Sequence, residues 1–119
     1  MNRIVYKIAE APAWKKAEAA GEFVGAPIDL EDGFIHFSAA DQVVETAQKH
    51  FAGKSELLLV AVNSNKLGAD LKWEPSRGGS LFPHLYANLP MTAVIWVKPL
   101  PQLGDGFQFP ELPDEIPAA

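Results

Sequence analysis

Two stretches of the chain concentrate side chains able to bond, stack on or ionise beside a ligand. The first is Gly33-Phe34-Ile35-His36-Phe37-Ser38. The second is Trp73-Glu74-Pro75-Ser76-Arg77-Gly78-Gly79, continued by Phe82-Pro83-His84-Leu85-Tyr86. An imidazole inside an apolar strand needs partners for its ring nitrogens, and the partner on one nitrogen sets what the other can do. That makes His36 and His84 candidates for ligand-facing donors or proton carriers. The plain alternative is a core histidine bonded to a backbone carbonyl. Glu74 is the one carboxylate in the second stretch. It could act as a base, bond a ribose hydroxyl, or pair with Arg77, and pairing with Arg77 is the default. His36, His84 and Glu74 are thus the candidate catalytic residues.

The remaining residues of the two stretches suit binding. Ser38 shares an extended face with Phe34 and His36. Pro83 holds Phe82 extended, so His84 and Tyr86 share a face too. Arg77 can clasp phosphate or carboxylate with two hydrogen bonds. Gly78 and Gly79 let backbone amides approach such an anion closely. The alternative for that loop is a flexible turn with a solvated arginine. Trp14, Trp73 and Trp96 read as core or cleft walls. A metal trio of His36, His50 and His84 is not expected, because His50 falls in an exposed last helical turn where a cation suits the dipole. Neither a nucleophile elbow nor a Walker or Rossmann glycine loop is present.

The elements that carry these residues can be read from periodicity and breakers. Arg3 to Ile8 is a strand with Ile4, Tyr6 and Ile8 on one face. Pro12 and Gly21 bracket a helix with Ala13, Trp14, Ala17 and Ala20 on its apolar stripe. Gly25 and Pro27 make residues 22–31 an extended loop. Phe34 to Phe37 is a short strand. Ser38, with Asp41, reads as the cap of a helix from Ala39 to Phe51, ended by Gly53 and burying Ala40, Val43, Val44, Ala47 and Phe51. Residues 56–62 read as a central strand buried on both faces. Leu71 to Trp73 and Thr92 to Lys98 add strands. The fold class expected is α+β, a single compact domain over residues 1–103 with a mixed or antiparallel sheet and two main helices. Residues 104–119 read as a Pro-rich acidic tail, pinned by Leu103, Phe107, Phe109 and Leu112 and mobile at its end.

Composition narrows the function. A chain of 119 residues suits one domain with its own core. With no cysteine, disulfides, thiolate metal sites and cysteine nucleophiles are excluded. A net charge of −5 argues against broad nucleic-acid binding. It leaves room for a small anionic ligand held locally. No apolar run reaches bilayer length, and residues 1–6 enter a strand pattern with no signal peptide. The cytoplasm is the expected location. Oligomeric state is not legible.

Taken together, Ile4-Val5-Tyr6-Lys7-Ile8, Trp14, the Gly33-to-Ser38 stretch, Gln42-Val43, Thr46-Ala47, Trp73-Glu74, Phe82-Pro83-His84-Leu85-Tyr86, Leu89-Pro90 and Ala93-Val94 resemble a bacterial and plant family known as domain of unknown function 952. The likeness runs from Arg3 to about Leu100. That family in turn is similar, remotely, to the ADP-ribosyltransferase fold, a split-sheet scaffold that holds NAD in a cleft. This resemblance implies ligand contacts at the first-strand pair Tyr6 and Lys7, where relatives often carry Tyr-His. It also implies a tyrosine stacked on nicotinamide, with Tyr86 the candidate. The Gly33-to-Ser38 stretch is similar to a His-containing strand of the RNA 2′-phosphotransferase branch. No residue matches the late catalytic glutamate. The function implied is binding of NAD or a related nucleotide, with transfer of an ADP-ribosyl or phosphate group. A non-catalytic module for a small anionic ligand and a purely structural domain are the alternatives.

Overall fold

The computed structural model describes residues 3–116, with the side chain of Arg77 outside the described set. Two three-stranded sheets form the frame. One has the order β1 (Ile4–Glu10), β4 (Leu57–Asn63), β8 (Val94–Pro99). The other has the order β3 (Ile35–His36), β6 (Leu81–Leu85), β5 (Leu71–Pro75). Every pairing between the described strands is antiparallel. The architecture is α+β. A two-residue pair, β2 (Glu22–Phe23) with β7 (Leu89–Pro90), flanks the frame.

The central strand is β4, as its unbroken apolar run demands. Leu57, Leu59 and Ala61 enter one core cluster with Ile4, Tyr6 and Ile8. Val60 and Val62 enter the other with Val5, Trp14, Phe23, Ile35 and Phe37. A strand in the middle of a sheet with both faces covered has no solvent face to make polar.

Helix α1 (Ala11–Ala20) has Pro12 in its first turn and ends at Gly21, whose φ of 88° is left-handed. It buries Trp14 and Ala17. Residues 27–32 depart from the expected loop: Pro27–Asp32 is a helix, α2. Pro27 sits at the start, where its missing N–H costs nothing, and Gly33 at φ 86° ends it. The two breakers are thus punctuation for a helix rather than against one.

Helix α3 spans Val43–His50, four residues later than expected at its start. Ser38 is not its cap. The Ser38 backbone is engaged with Tyr6 in a two-way bridge, N···O 2.8 and 2.9 Å. Its hydroxyl lies 2.9 Å from Thr46 Oγ1. Gln42 Oε1 instead accepts from the Ala39 N–H, closing the turn that leads into the helix. Val43 and Ala47 are buried as expected, while Val44 is 40% exposed. Gly53 lies beyond the cap residue Phe51.

The Ser38–Tyr6 bridge stitches the two sheets at the outer edge of β1. The same edge carries the C-terminal segment. Ile4 N–H donates to Asp114 O at 2.9 Å, and the Tyr6 hydroxyl donates to Pro113 O at 2.6 Å. Phe107, Phe109, Leu112 and Ile116 pack on the cluster of Tyr6 and Leu59. Leu103, expected among the pins, is 63% exposed, in the short hairpin β9 (Gln102–Leu103) and β10 (Gly106–Phe107). The end expected to be mobile, residues 117–119, lies outside the described residues. Among the described residues no helix is long and apolar enough to cross a membrane.

Candidate functional site

Pairing of β3 with β6 sets His36 directly opposite His84. Their rings meet edge to face with centroids 5.7 Å apart. Phe34 stacks on His84 at 4.1 Å and leans on His36 at 4.7 Å. Both imidazoles line a cleft of about 650 Å³ that runs along the outer edge of β1. Its walls are mainly apolar: Phe23, Pro27, Ile28, Phe37, Phe51 and Phe82 contribute to them.

Each histidine is held by its own carboxylate. His84, 5% exposed, has Nδ1 2.9 Å from Glu74 Oε1. Glu74 also accepts from the Tyr86 hydroxyl at 2.7 Å. The Tyr86 bond, then the His84 bond, hold the Glu74 carboxyl below its ordinary range, and the same bond pushes the Tyr86 phenol up. An ionised carboxylate accepts only, so His84 Nδ1 is the donor of this pair, and in the neutral ring Nε2 is then the acceptor. The pairing of Glu74 with Arg77 that the sequence favoured falls on a side chain outside the described residues.

His36 is held more tightly, by a residue the sequence reading passed over. Asp29 is 1% exposed. Its Oδ1 lies 2.6 Å from His36 Nδ1, 3.1 Å from the His36 amide and 3.0 Å from Lys7 Nζ. Its Oδ2 lies 2.9 Å from Lys7 Nζ and 2.8 Å from the Ala26 amide. Burial alone would push this carboxyl up. The His36 bond, the Lys7 charge and bond, and the Ala26 amide outweigh it and hold it at about 2. Lys7, 6% exposed, is pushed down by burial and pulled back up by Asp29. Asp29 owes its place to the α2 start, where an acidic third residue reaches back to the amide before the helix. Gly25 makes room, because a Cβ there would come within 3.0 Å of Asp29 Cβ. A second α2 carboxylate, Asp32, lies 2.9 Å from His36 Nε2.

The other expected residues divide. Lys7 and Ser38 line the cleft. Tyr6 lines it as well, but its hydroxyl is turned away. Strand alternation turns its ring to the opposite face from Lys7, where it is 1% exposed and bonded to Pro113. Burial first, and then the nearby Asp114 charge, push its phenol up to about 12. Tyr86 stands at the margin, 43% exposed, with its ring 5.3 Å from Phe34. Gly78 lines a separate depression of about 330 Å³ with Asp41, Glu45 and Lys49. Gly79 bonds back to Ser76 O. Among the described residues, Gly78 thus lies in the depression rather than in the imidazole cleft, while Ser76 beside the turn lines the cleft and Phe82 borders both.

The edge of β1 adds a backbone group that side-chain motifs cannot reveal. In an antiparallel pair, successive residues point their N–H and C=O alternately toward and away from the partner. Ala11 N–H bonds to Glu56 O on the β4 side, whereas Ile4 and Tyr6 bond outward to Asp114 and Ser38. Ile8 therefore turns its N–H and C=O outward, into the cleft it lines.

The model for the family described as "Protein of unknown function (DUF952)" matches residues 8–97. The chain belongs to this family. Among solved structures, the DUF952 chain is similar to protein CC0527 from Caulobacter crescentus. Its crystal structure is 48% identical with a TM-score of 0.85, covering 87% of this chain and 91% of that one. The solution NMR structure of CC0527 gives 48% identity and a TM-score of 0.78, covering 87% and 90%. No curated protein matches the DUF952 chain.

Proposed function

We propose that the β1-edge cleft binds NAD or a related nucleotide and transfers its ADP-ribosyl or phosphate group, on a scaffold of the ADP-ribosyltransferase kind. One observation carries this reading: two imidazoles 5.7 Å apart, each oriented by its own carboxylate, face one apolar cleft. Loss of nicotinamide breaks the glycosidic C–N bond. The base departs with the electron pair as a neutral ring, and the ribose keeps cationic character. Such a step needs water kept out and a fixed partner for the ribose hydroxyls. His84 Nε2 takes the proton of the attacking hydroxyl, and Glu74 stabilises the imidazolium that results. The outward N–H and C=O of Ile8 offer the donor and acceptor that a carboxamide requires. The split pair of three-stranded sheets also supports the scaffold.

The test is a thermal shift series with NAD, ADP-ribose and 2′-phosphorylated RNA, since a ligand bound only by the folded state raises the melting temperature by mass action. Stabilisation by at least one of the three, lost in His36→Ala and His84→Ala, is the expected result. An unchanged melting temperature with all three at millimolar concentration would overturn the reading. Binding with no release of nicotinamide or phosphate would leave a ligand-binding module in its place.

A further inference from the structure

Asp32 has no task in the reading above. It is the last residue of α2, at the helix end where a carboxylate is unfavourable. Its Oδ2 nevertheless sits 2.9 Å from His36 Nε2, and it lines the cleft. At 40% exposure it is open to a ligand, whereas Asp29 on the other ring nitrogen is at 1%. His36 thus meets a carboxylate oxygen at each nitrogen, and both are satisfied when both nitrogens carry protons.

Resting on the nucleotide reading, we infer that Asp32 is a specificity-determining residue that makes His36 a subsite for a sugar hydroxyl and closes it to phosphate. An ionised phosphate oxygen can only accept. To reach His36 Nε2 it must displace Asp32 or lie beside it, like charge against like charge. A hydroxyl both accepts and donates. It can accept from Nε2–H while donating its own hydrogen bond to Asp32, and a vicinal diol can engage both Asp32 oxygens. Sites built to hydrogen-bond a hydroxyl reject a partner that leaves their polar groups unmatched. The pyrophosphate of a nucleotide would lie away from His36, nearer Lys54, which lines the same cleft.

The experiment follows the His36 ring signals by ¹H–¹⁵N NMR in wild type and in Asp32→Asn, which keeps size and removes charge. Inorganic phosphate is expected to leave wild-type His36 unmoved and to bind Asp32→Asn at least about tenfold more tightly. ADP-ribose is expected to bind Asp32→Asn about tenfold more weakly than wild type, with Asp32→Glu restoring most of the loss. Equal phosphate shifts in both proteins would overturn the inference, as would unchanged ADP-ribose affinity in Asp32→Asn. If ADP-ribose binds neither protein, the nucleotide reading fails. The phosphate comparison then decides the role of Asp32 alone.

Discussion

Replacing Asp29 by alanine is the sharpest perturbation of this molecule. The change leaves the Lys7 ammonium, 6% exposed, without its counter-ion, and strips acceptors from the Ala26 amide, the His36 amide and His36 Nδ1. Removing one partner of a buried ion pair costs about 3–5 kcal/mol. Linkage gives a figure of the same order. Holding the carboxyl at about 2 rather than its ordinary 3.8 corresponds to about 2–3 kcal/mol. The folded-state value is depressed, so this stability is fully present above the ordinary value and is lost as pH falls toward 2. Urea unfolding of wild type and Asp29→Ala at pH 7 should differ by about 3–5 kcal/mol, or about 10–20 °C in melting temperature. The gap should narrow as pH is lowered through 4 toward 2. Adding Lys7→Met should recover part of the loss, because the stranded charge is gone. A gap under about 1 kcal/mol at neutral pH, or no recovery in the double variant, would refute the account of a buried ionic anchor.

Four further outcomes follow from the structure. Glu74→Gln should leave the melting temperature close to wild type, since Glu74 is partly exposed, but should cut any nicotinamide or phosphate release at least tenfold by loosening His84. An alkaline ultraviolet titration should show Tyr6 ionising at about 12. Its contribution to stability is complete below the ordinary 10 and lost as pH rises through 10 toward 12. Tyr6→Phe should destabilise by about 1 kcal/mol and speed amide exchange at Ile4, whose acceptor Asp114 neighbours Pro113. Gly33→Ala should cost about 1 kcal/mol through backbone strain alone, because φ is 86° and open space surrounds the added methyl; circular dichroism melts would show it.

Where local pattern and burial agree, the sequence is transparent. Alternation in residues 4–8 placed Ile4, Tyr6 and Ile8 on one face, and that is the face they occupy. It also implies that Tyr6 and Lys7 cannot serve the same cleft through their side chains. The unbroken run in β4 could only be a central strand. Alternation in Gly33-to-Ser38 likewise put Phe34 and His36 together, away from buried Ile35 and Phe37. The misreadings share a cause, in that one residue type served two local roles. Pro27 and Gly33 punctuate α2 rather than forbid it, and reading 22–31 as a loop hid Asp29 and Asp32. The signal was present as proline, then acid at the third position, then glycine after the last. Ser38 is a good cap by type, but the chain spends its backbone on the bridge to Tyr6, a tertiary contact 32 positions away. The Glu74–His84 bond depends on β5–β6 register, which sets Glu74 opposite Phe82, two residues before His84.

The central claim is one of place: that a nucleotide sits along the β1 edge, between His36 and His84. Backbone and histidine-ring NMR of the labelled protein with saturating ADP-ribose tests it most directly. The account predicts shifts at Ile8, His36 and His84, and a quiet depression around Glu45 and Gly78. Shifts centred on Glu45, Lys49 and Gly78, or no shift at either imidazole, would contradict it.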